Sequence, residues 1–286
     1  MKRYKILHQT NYEFSGQVHL HPHTLRLRPR EGHELRIESS TLDISPDASL
    51  RWHRDVEGNS VATATFLGST AYLYISSEVV IQQYDQVPYD FLVADYAVDY
   101  PFRYDPEDEI LLTPYLKQSD FQVQDKVKNL LDDIWQANEP IQTFALLLRL
   151  NQRIYQTITY QRREEAGVQS AEETLNRGSG SCRDSANLFM VVARQLGLAA
   201  RFVSGYIYSD PPSIQAGATH AWAEVLIPGA GWKGFDPSTG NIVGAEHIAV
   251  AVARLPESVP PVEGSFHGLP GASMSVNVWV TELLQP

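Results

Sequence analysis

Residues 178–184 read Gly-Ser-Gly-Ser-Cys-Arg-Asp, and Cys182 within them is the only cysteine among 286 residues. An apolar pattern at helical spacing follows the cysteine and carries Ala186, Phe189, Met190, Ala193 and Leu196. Further apolar residues widen this stripe almost all the way round, which is typical of a buried helix. We therefore predict a central helix that begins at Cys182 and ends before Gly197.

Two residues able to assist a thiol follow at later positions in the chain. A cysteine attacks as its thiolate, which a helix N-terminus and an imidazolium partner both favour. His220, in a strand-like segment, is the candidate base that takes the thiol proton and returns it to a leaving amine. Asp236 ends the next strand and is the candidate that orients the imidazole. Each residue alone has an ordinary structural interpretation, but the three in this order predict a thiol enzyme acting on acyl groups.

Composition limits the class of protein. The 43% hydrophobic content is enough for a proper core, and the length allows one large domain or two ordinary ones. A net charge of -11 argues against nucleic acid or an anionic membrane surface as partner. A lone cysteine cannot form an intrachain disulfide, and no apolar signal core follows the basic start. We expect a cytoplasmic protein, and the sequence leaves its oligomeric state open.

The first hundred residues are rich in alternating, β-branched segments. Gly58-Asn59 separates two such segments like a hairpin turn, and residues 1–100 are predicted to form an antiparallel β-sandwich. Residues 101–118 contain three prolines and the acidic run 105–109. We interpret this stretch as a connector with a solvated acidic face, because the ligand spacing of a calcium-binding loop is absent.

Helical spacing begins at residue 119, where Ser119 and Gln122 suit a capping box. One helix is predicted to run to Ile134, and a second is marked by apolar residues from Phe144 to Ile154. A short helix after Ser170 should end at Gly178. Three strands are predicted at 200–208, 219–227 and 231–235. Together with the helices that precede them, they lie within residues 119–286, which we predict to be the catalytic core.

Four segments carry a family resemblance: residues 178–184, 196–206, 220–225 and 231–237. Together, from about residue 154 to 240, they resemble the core of the transglutaminase-like superfamily, relatives of the papain-type cysteine peptidases. Residues 246–252 also resemble bacterial members of that family. The resemblance extends to the front of the chain, where residues 8–12 (His-Gln-Thr-Asn-Tyr) and 25–29 (Leu-Arg-Leu-Arg-Pro) are similar to the β-domain that precedes the core in those proteins.

The resemblance implies an α+β protein in which an N-terminal β-sandwich precedes a papain-like core with a Cys182–His220–Asp236 triad. It further implies thioester chemistry on peptide or isopeptide amide bonds, with no cofactor. Bacterial members are commonly described as cysteine proteases, but an amine acceptor would instead give transamidation. A non-catalytic peptide-binding module on the same fold is the third hypothesis. Calcium activation is not carried over, because the pattern of the animal crosslinking enzymes is absent.

Other residues have weaker claims to a role. Family members place an aromatic or amide side chain upstream of the nucleophile, and Tyr160 is the candidate here, although a packed strand-edge tyrosine is an equal interpretation. Ser181 and Trp222 are candidates for oxyanion or substrate contact. Trp222 and Trp232 are predicted to flank the site, where they could shield the ion pair from water or line a substrate groove, with core packing as an equal alternative. His247 is interpreted as a packing residue.

Three histidines near the N-terminus, His19, His21 and His23, would share one strand face. Three imidazoles placed in this way could bind zinc or copper. Pro22 limits strand pairing there, and no carboxylate or thiol joins the histidines locally. We therefore predict no metal site and interpret the three as exposed or interface residues.

Overall fold

The computed structural model describes residues 1–84, 89–117, 125–137, 139–163, 165–209 and 219–284. Six strands form the N-terminal part: β1 (Lys2–Leu20), β2 (His23–Leu25), β3 (Leu35–Ser45), β4 (Ala48–Arg54), β5 (Ser60–Phe66) and β6 (Thr70–Gln83). β6 lies between β1 and β3 in one antiparallel sheet, and β5 lies between β2 and β4 in another. Side chains from both sheets, including Phe14, Leu25, Ala62 and Ile75, are buried in one cluster. The predicted sandwich is confirmed, with its hairpin at Gly58-Asn59.

Short strands and helices follow: β7 (Asp99–Tyr100), α1 (Pro106–Leu116), α2 (Asp125–Ile134), β8 (Ile141–Gln142), α3 (Thr143–Thr157), β9 (Thr159–Tyr160), α4 (Ala171–Arg177) and β10 (Ser179–Gly180). The predicted connector therefore contains a helix, α1. Pro106 in its first turn and the acidic residues 107–109 favour a helix start, although the same acidic run is also typical of a solvated connector. α4 begins at the predicted Ser170 cap and ends at Gly178. The capping box of Ser119 and Gln122 lies outside the described residues.

The second sheet-and-helix unit is built from α5 (Cys182–Gln195), β11 (Ala200–Ile207), β12 (His220–Ile227), β13 (Gly231–Asp236), β14 (Asn241–Ile242) and β15 (His247–Ala253). The strands pair antiparallel in the order β14-β13-β12-β11-β15, and α5 packs against β12. Leu188, Phe189 and Met190 of α5 are fully buried, as predicted for a central helix. Among the described residues the longest helix has 15 residues, and none is long and apolar enough to cross a membrane.

The final strands return to the N-terminal sandwich: β16 (Val262–Glu263), β17 (Phe266–Gly268) and β18 (Ala272–Leu283). β18 pairs with β1 from Arg3 opposite Leu283 to Phe14 opposite Ala272. β17 also pairs with β1, and β16 pairs with β2. The last strands, within the predicted core of 119–286, thus lie in the sheets of the sandwich, where they pair with backbone groups of β1 and β2 that would otherwise lack a partner.

The two units share a buried interface. Tyr4, Ile6 and Ile81 of the sandwich pack in one apolar cluster with Tyr206 and Ile248 of the core sheet. The Asn59 amide at the sandwich hairpin also pairs with the backbone of Val252, donating to its oxygen at 2.8 Å and accepting from its nitrogen at 2.9 Å. The sandwich therefore covers β15, the edge strand of the core sheet that begins at His247.

Candidate active site

The loop before Cys182 is held by strand pairing. β10 lies parallel to β9, with Gly180 opposite Tyr160, and the N–H of Gln161 donates to the oxygen of Gly180 at 2.8 Å. A Cβ at Gly180 would lie 2.9 Å from the Cβ of Asp184, so only glycine lets the loop approach the helix this closely. Cys182 is 6% exposed and carries a free thiol at the first position of α5.

Asp184 is fully buried in the first turn of α5, and the sequence alone predicts no role for it. Its carboxylate accepts from Arg163 at 2.7 Å and from the N–H of Gln169 at 2.8 Å. The N–H and hydroxyl of Ser181 donate to it at 2.7 and 2.8 Å. Burial alone would raise the pKa of Asp184, but these hydrogen bonds outweigh it and lower the pKa. Both Ser181 groups therefore hold the helix start, and both of these donors are already used by Asp184.

His220 and Asp236 meet across the β12–β13 hairpin. Nε2 of His220 lies 2.7 Å from Oδ2 of Asp236, and the carboxylate is fully buried. The other carboxylate oxygen, Oδ1, accepts from the N–H of Ser238 at 3.0 Å and from its hydroxyl at 2.7 Å. The sequence prediction that the hairpin brings these two side chains together is matched by this geometry.

The electrostatics of the pair favour a protonated ring. Burial lowers the pKa of His220, but hydrogen bonds with Asp236 and with Cys182 outweigh it and raise the pKa to about 10. Burial would also raise the pKa of Asp236, yet the bond from His220 holds that pKa far below its usual range. Because Nε2 faces Asp236, Nδ1 is the ring nitrogen left for the thiol.

A second histidine reaches the same carboxylate. Nε2 of His247 lies 3.2 Å from Oδ2 of Asp236, and Nδ1 accepts from the N–H of Gly244 at 3.4 Å. His247 is therefore packed in the core, as the sequence predicts, and in addition it bonds the Asp236 carboxylate. It lies 27 residues after His220 and on a strand two places away in the sheet, so no local pattern pointed to it.

Trp222 packs beside both histidines. Its ring lies 6.2 Å from that of His220 and 5.2 Å from that of His247, the latter at 80°. A Cβ at Gly205 would lie 2.7 Å from the edge of this indole, so the glycine gives the ring its space. Trp222 is 1% exposed, so its indole encloses the two histidines and leaves almost no surface for a substrate.

Tyr160 and Trp232 have different positions relative to the thiol. Tyr160 is 56% exposed, and its pKa is raised by burial and then by the nearby Cys182. Its side chain is therefore exposed and lies near Cys182. Trp232 instead lies in the first half of β13, where its ring packs under the guanidinium of Arg201 at 4.2 Å. It does not flank the thiol.

The ligand-type atoms of His220, Asp236 and His247 lie within 4.8 Å of one another. The two nitrogen–oxygen distances, 2.7 and 3.2 Å, are those of N–H···O hydrogen bonds. Atoms bound at about 2.0–2.2 Å to one tetrahedral zinc would be spaced more widely. The cluster is therefore assigned to hydrogen bonding, and the prediction of no metal and no cofactor remains a prediction.

The three N-terminal histidines do not share a strand face. β1 ends at Leu20, and β2 begins at His23 after the turn at Pro22. Nδ1 of His19 bonds the oxygen of Gly68 at 3.1 Å, while Nδ1 of His23 bonds the oxygen of His21 at 2.8 Å. Of the three, His23 is buried, whereas His19 and His21 are exposed. Pro22 interrupts the strand because it has no N–H for the ladder.

Comparisons with known proteins agree with this architecture. Residues 4–82 match the bacterial transglutaminase-like N-terminal region, and residues 129–237 match the transglutaminase-like superfamily. An uncharacterized protein of Mycobacterium tuberculosis is 28% identical over 93% of this chain and 88% of its own length. An uncharacterized protein of Mycobacterium leprae is 23% identical over 99% of this chain and 100% of its own.

A solved structure shares the fold. It is named "Putative Cysteine Protease" and comes from Cytophaga hutchinsonii, with 19% identity and a TM-score of 0.74 over 100% of this chain and 92% of that one. The two matched regions cover about two-thirds of the chain and include the segments that hold Cys182, His220 and Asp236. The chain belongs to the transglutaminase-like superfamily and carries the N-terminal region of its bacterial members.

Proposed function

We propose that the chain is a cysteine-dependent acyl-transfer enzyme that hydrolyses peptide or isopeptide amide bonds through a thioester on Cys182. The observation that carries this proposal is the His220–Asp236 pair at 2.7 Å, whose ring also interacts with the one thiol of the chain. A buried carboxylate that holds an imidazolium beside a thiol at a helix N-terminus favours the thiolate. The family and the cysteine-protease name of the structural neighbour support the same class of enzyme.

In the first half-reaction, the sulfur of Cys182 attacks the amide carbonyl carbon. The carbon–sulfur bond forms and the carbonyl electrons move to oxygen, which gives a tetrahedral oxyanion. As the carbonyl reforms, the carbon–nitrogen bond breaks, and His220 gives its proton to the departing amine. The products are a thioester on Cys182 and a free amine, with His220 left neutral and still bonded to Asp236.

In the second half-reaction, His220 takes a proton from water, and the resulting oxygen nucleophile attacks the thioester carbon. The carbon–sulfur bond breaks, the sulfur leaves as thiolate, and His220 is again protonated. A carboxylic acid is released. A primary amine in place of water would form a new amide through the same steps, so transamidation is the alternative outcome of one mechanism.

The tetrahedral oxygen needs hydrogen-bond donors. Cys182 is the first residue of α5, where helix geometry leaves backbone N–H groups without an intrahelical acceptor. We assign the N–H of Cys182 as one donor. The exposed Tyr160 near Cys182 is assigned as the second donor. The N–H of Ser181 is excluded, because Asp184 already accepts it.

The decisive experiment is mass spectrometry of the protein with a peptide-library substrate, with and without an added primary amine. We expect wild type to carry an acyl adduct on Cys182, and the amine to appear in product if it is used as acceptor. Cys182→Ala should lower turnover by at least about a thousandfold while the fold is unchanged in circular dichroism. Retained turnover in Cys182→Ala would end this mechanism.

A non-catalytic peptide-binding module is the other outcome of this experiment. Tight peptide binding that is unchanged in Cys182→Ser, with no product in wild type, would favour it. Peptides or proteins as substrates and a cytoplasmic location are also part of the proposal. The location is motivated by the lone free thiol, and fractionation of cells that express a tagged chain tests it.

A further inference from the structure

Oδ2 of Asp236 accepts from two imidazole rings, although the proposed reaction uses one. His220 donates at 2.7 Å from β12, and His247 donates at 3.2 Å from β15. The second ring is as enclosed as the first, since its side chain is 6% exposed against 12% for His220. The proposed reaction gives no role to His247, although this buried histidine is bonded to the carboxylate that orients His220.

The direction of the second bond follows from the other nitrogen of His247. The N–H of Gly244 lies 3.4 Å from Nδ1, and a backbone N–H can only donate. Nδ1 is therefore the acceptor, and Nε2 carries the ring proton that points to Asp236. His247 is a donor to the carboxylate, like His220 and Ser238.

The surrounding structure keeps this donor in place. His247 begins β15 opposite Ile207 of β11, so its backbone is fixed within the core sheet. The indole of Trp222 lies edge-on to its ring at 5.2 Å. Side-chain freedom is small at such a position, which suits a residue that must hold another one still.

We propose that His247 is a positioning residue for the cysteine reaction: its bond to Oδ2, with the Ser238 bonds to Oδ1, fixes the Asp236 carboxylate so that it receives Nε2 of His220. This rests on the proposed function of Cys182, His220 and Asp236. Without the His247 donor, Ser238 is the one remaining partner besides His220 that holds the carboxylate, and the carboxylate can turn away from His220. The imidazolium would then be less stable, and less thiolate would form at low pH.

Other charged or titratable groups near this cluster come from several elements. Cys182 faces His220 from α5, and Tyr160 lies near Cys182 and Asp236 from β9. Glu246 precedes His247 and pairs at 3.1 Å with Lys2 of β1. All of these remain in a His247 variant, so a changed pH profile would report the loss of the His247 bond.

The test is the rate of iodoacetamide alkylation of Cys182, followed by intact mass from pH 5 to 9 with EDTA present. The single cysteine makes the reaction unambiguous. His247→Gln places an amide N–H near the position of Nε2, whereas His247→Asn and His247→Leu do not. His8→Gln is the matched control, because His8 is also buried but bonds Tyr206 and Thr10.

We expect His247→Asn and His247→Leu to react about three- to tenfold more slowly than wild type at pH 6, with the acidic limb moved up by about half to one pH unit. His247→Gln should stay within about twofold of wild type, because one hydrogen-bond donor replaces another. His8→Gln should match wild type.

Two results would overturn the role of His247. One is a wild-type profile in His247→Asn and His247→Leu, and the other is a His247→Gln rate as low as that of His247→Leu, which would show that only packing matters. If His247→Leu does not fold, the Gln and Asn pair decides. His220→Ala separates the two proposals: a wild-type rate there overturns the proposed function, while a slow rate there with an unchanged His247→Asn overturns only this inference.

Discussion

The carboxylate of Asp236 is the charge on which the candidate site depends. It is fully buried and accepts from His220, His247 and both donors of Ser238. A buried carboxylate is costly unless it is paired and fully hydrogen-bonded, and here every bond it accepts also fixes its orientation. The same hydrogen bond between His220 and Asp236 helps to raise the pKa of His220 to about 10.

Asp236→Asn should lower the pKa of His220 from about 10, because burial would then act without the carboxylate. The raised pKa gives stability that is complete below about pH 6.5 and is lost as the pH rises through 10. The difference in free energy of unfolding between wild type and Asp236→Asn should therefore be larger at pH 7 than at pH 10. Urea unfolding at both pH values measures it, with the His220 resonance followed by NMR.

Asp133→Asn is the control for this prediction, because it removes one carboxylate from the exposed pair with Arg153. Its unfolding free energy should follow that of wild type at both pH values, as expected for a surface pair. A pH-independent difference between wild type and Asp236→Asn would show that the carboxylate does not set the charge of His220.

The first turn of α5 depends on Asp184. This carboxylate joins the helix to Arg163, Gln169 and Ser181, so one buried group fixes both the helix start and the chain that leads to it. Arg163 is itself only 15% exposed, which makes the ion pair a largely desolvated one. The position of Cys182 therefore depends on a side chain two residues further along.

Asp184→Asn should destabilise the protein by about 2–4 kcal/mol, because an amide NH2 would face donors and Arg163 would lose its buried charge partner, keeping only the exposed Glu165. We also expect slower alkylation of Cys182, since the helix start would shift. Urea unfolding and intact-mass kinetics measure the two effects. Glu173→Gln is the control, since its pair with Arg177 lies on the surface of α4, and it should change stability by less than about 0.5 kcal/mol. An Asp184→Asn variant as stable as that control would contradict the role.

The interface between the sandwich and the core contains one buried histidine, His8 of β1. Its ring bonds the Tyr206 hydroxyl at 3.1 Å and that of Thr10 at 2.9 Å. Burial lowers the pKa of His8 to about 4. Folding thus keeps this ring neutral where an unfolded chain would protonate it, and the association of the two units becomes sensitive to acid.

His8→Gln tests this sensitivity. A lowered pKa gives stability that is complete above about pH 6.5 and is lost as the pH falls toward 4. His8 should therefore contribute a loss of up to about 3 kcal/mol across that window in wild type. The variant should lose less stability between pH 7 and 4.5 than wild type does, in urea unfolding at each pH. Parallel pH curves for the two proteins would mean that His8 is not the acid-sensitive group.

The sequence alone predicts the local structure around the candidate site. Helical spacing from Ala186 to Leu196 set α5, the cap at Ser170 and Gly178 bounded α4, and alternation with glycine turns set β11 to β13. These features depend on neighbours three or four residues away, or on one hairpin, so the sequence alone predicts them. The pairing of His220 with Asp236 can be predicted for the same reason, because one hairpin joins the two residues.

Contacts between segments that are distant in the sequence cannot be predicted from such local patterns. His247 reaches Asp236 across the sheet, the indole of Trp222 occupies the space that Gly205 of the neighbouring strand leaves, and β18 pairs with β1. α1 was also missed, because its acidic first turn resembles a solvated run. The sequence by itself thus predicted the candidate residues Cys182, His220 and Asp236 from local pattern. Only the tertiary structure decided that His247 is a second donor to the carboxylate and that the C-terminal strand pairs with the N-terminal one, because burial and long-range strand pairing are not specified by any local pattern.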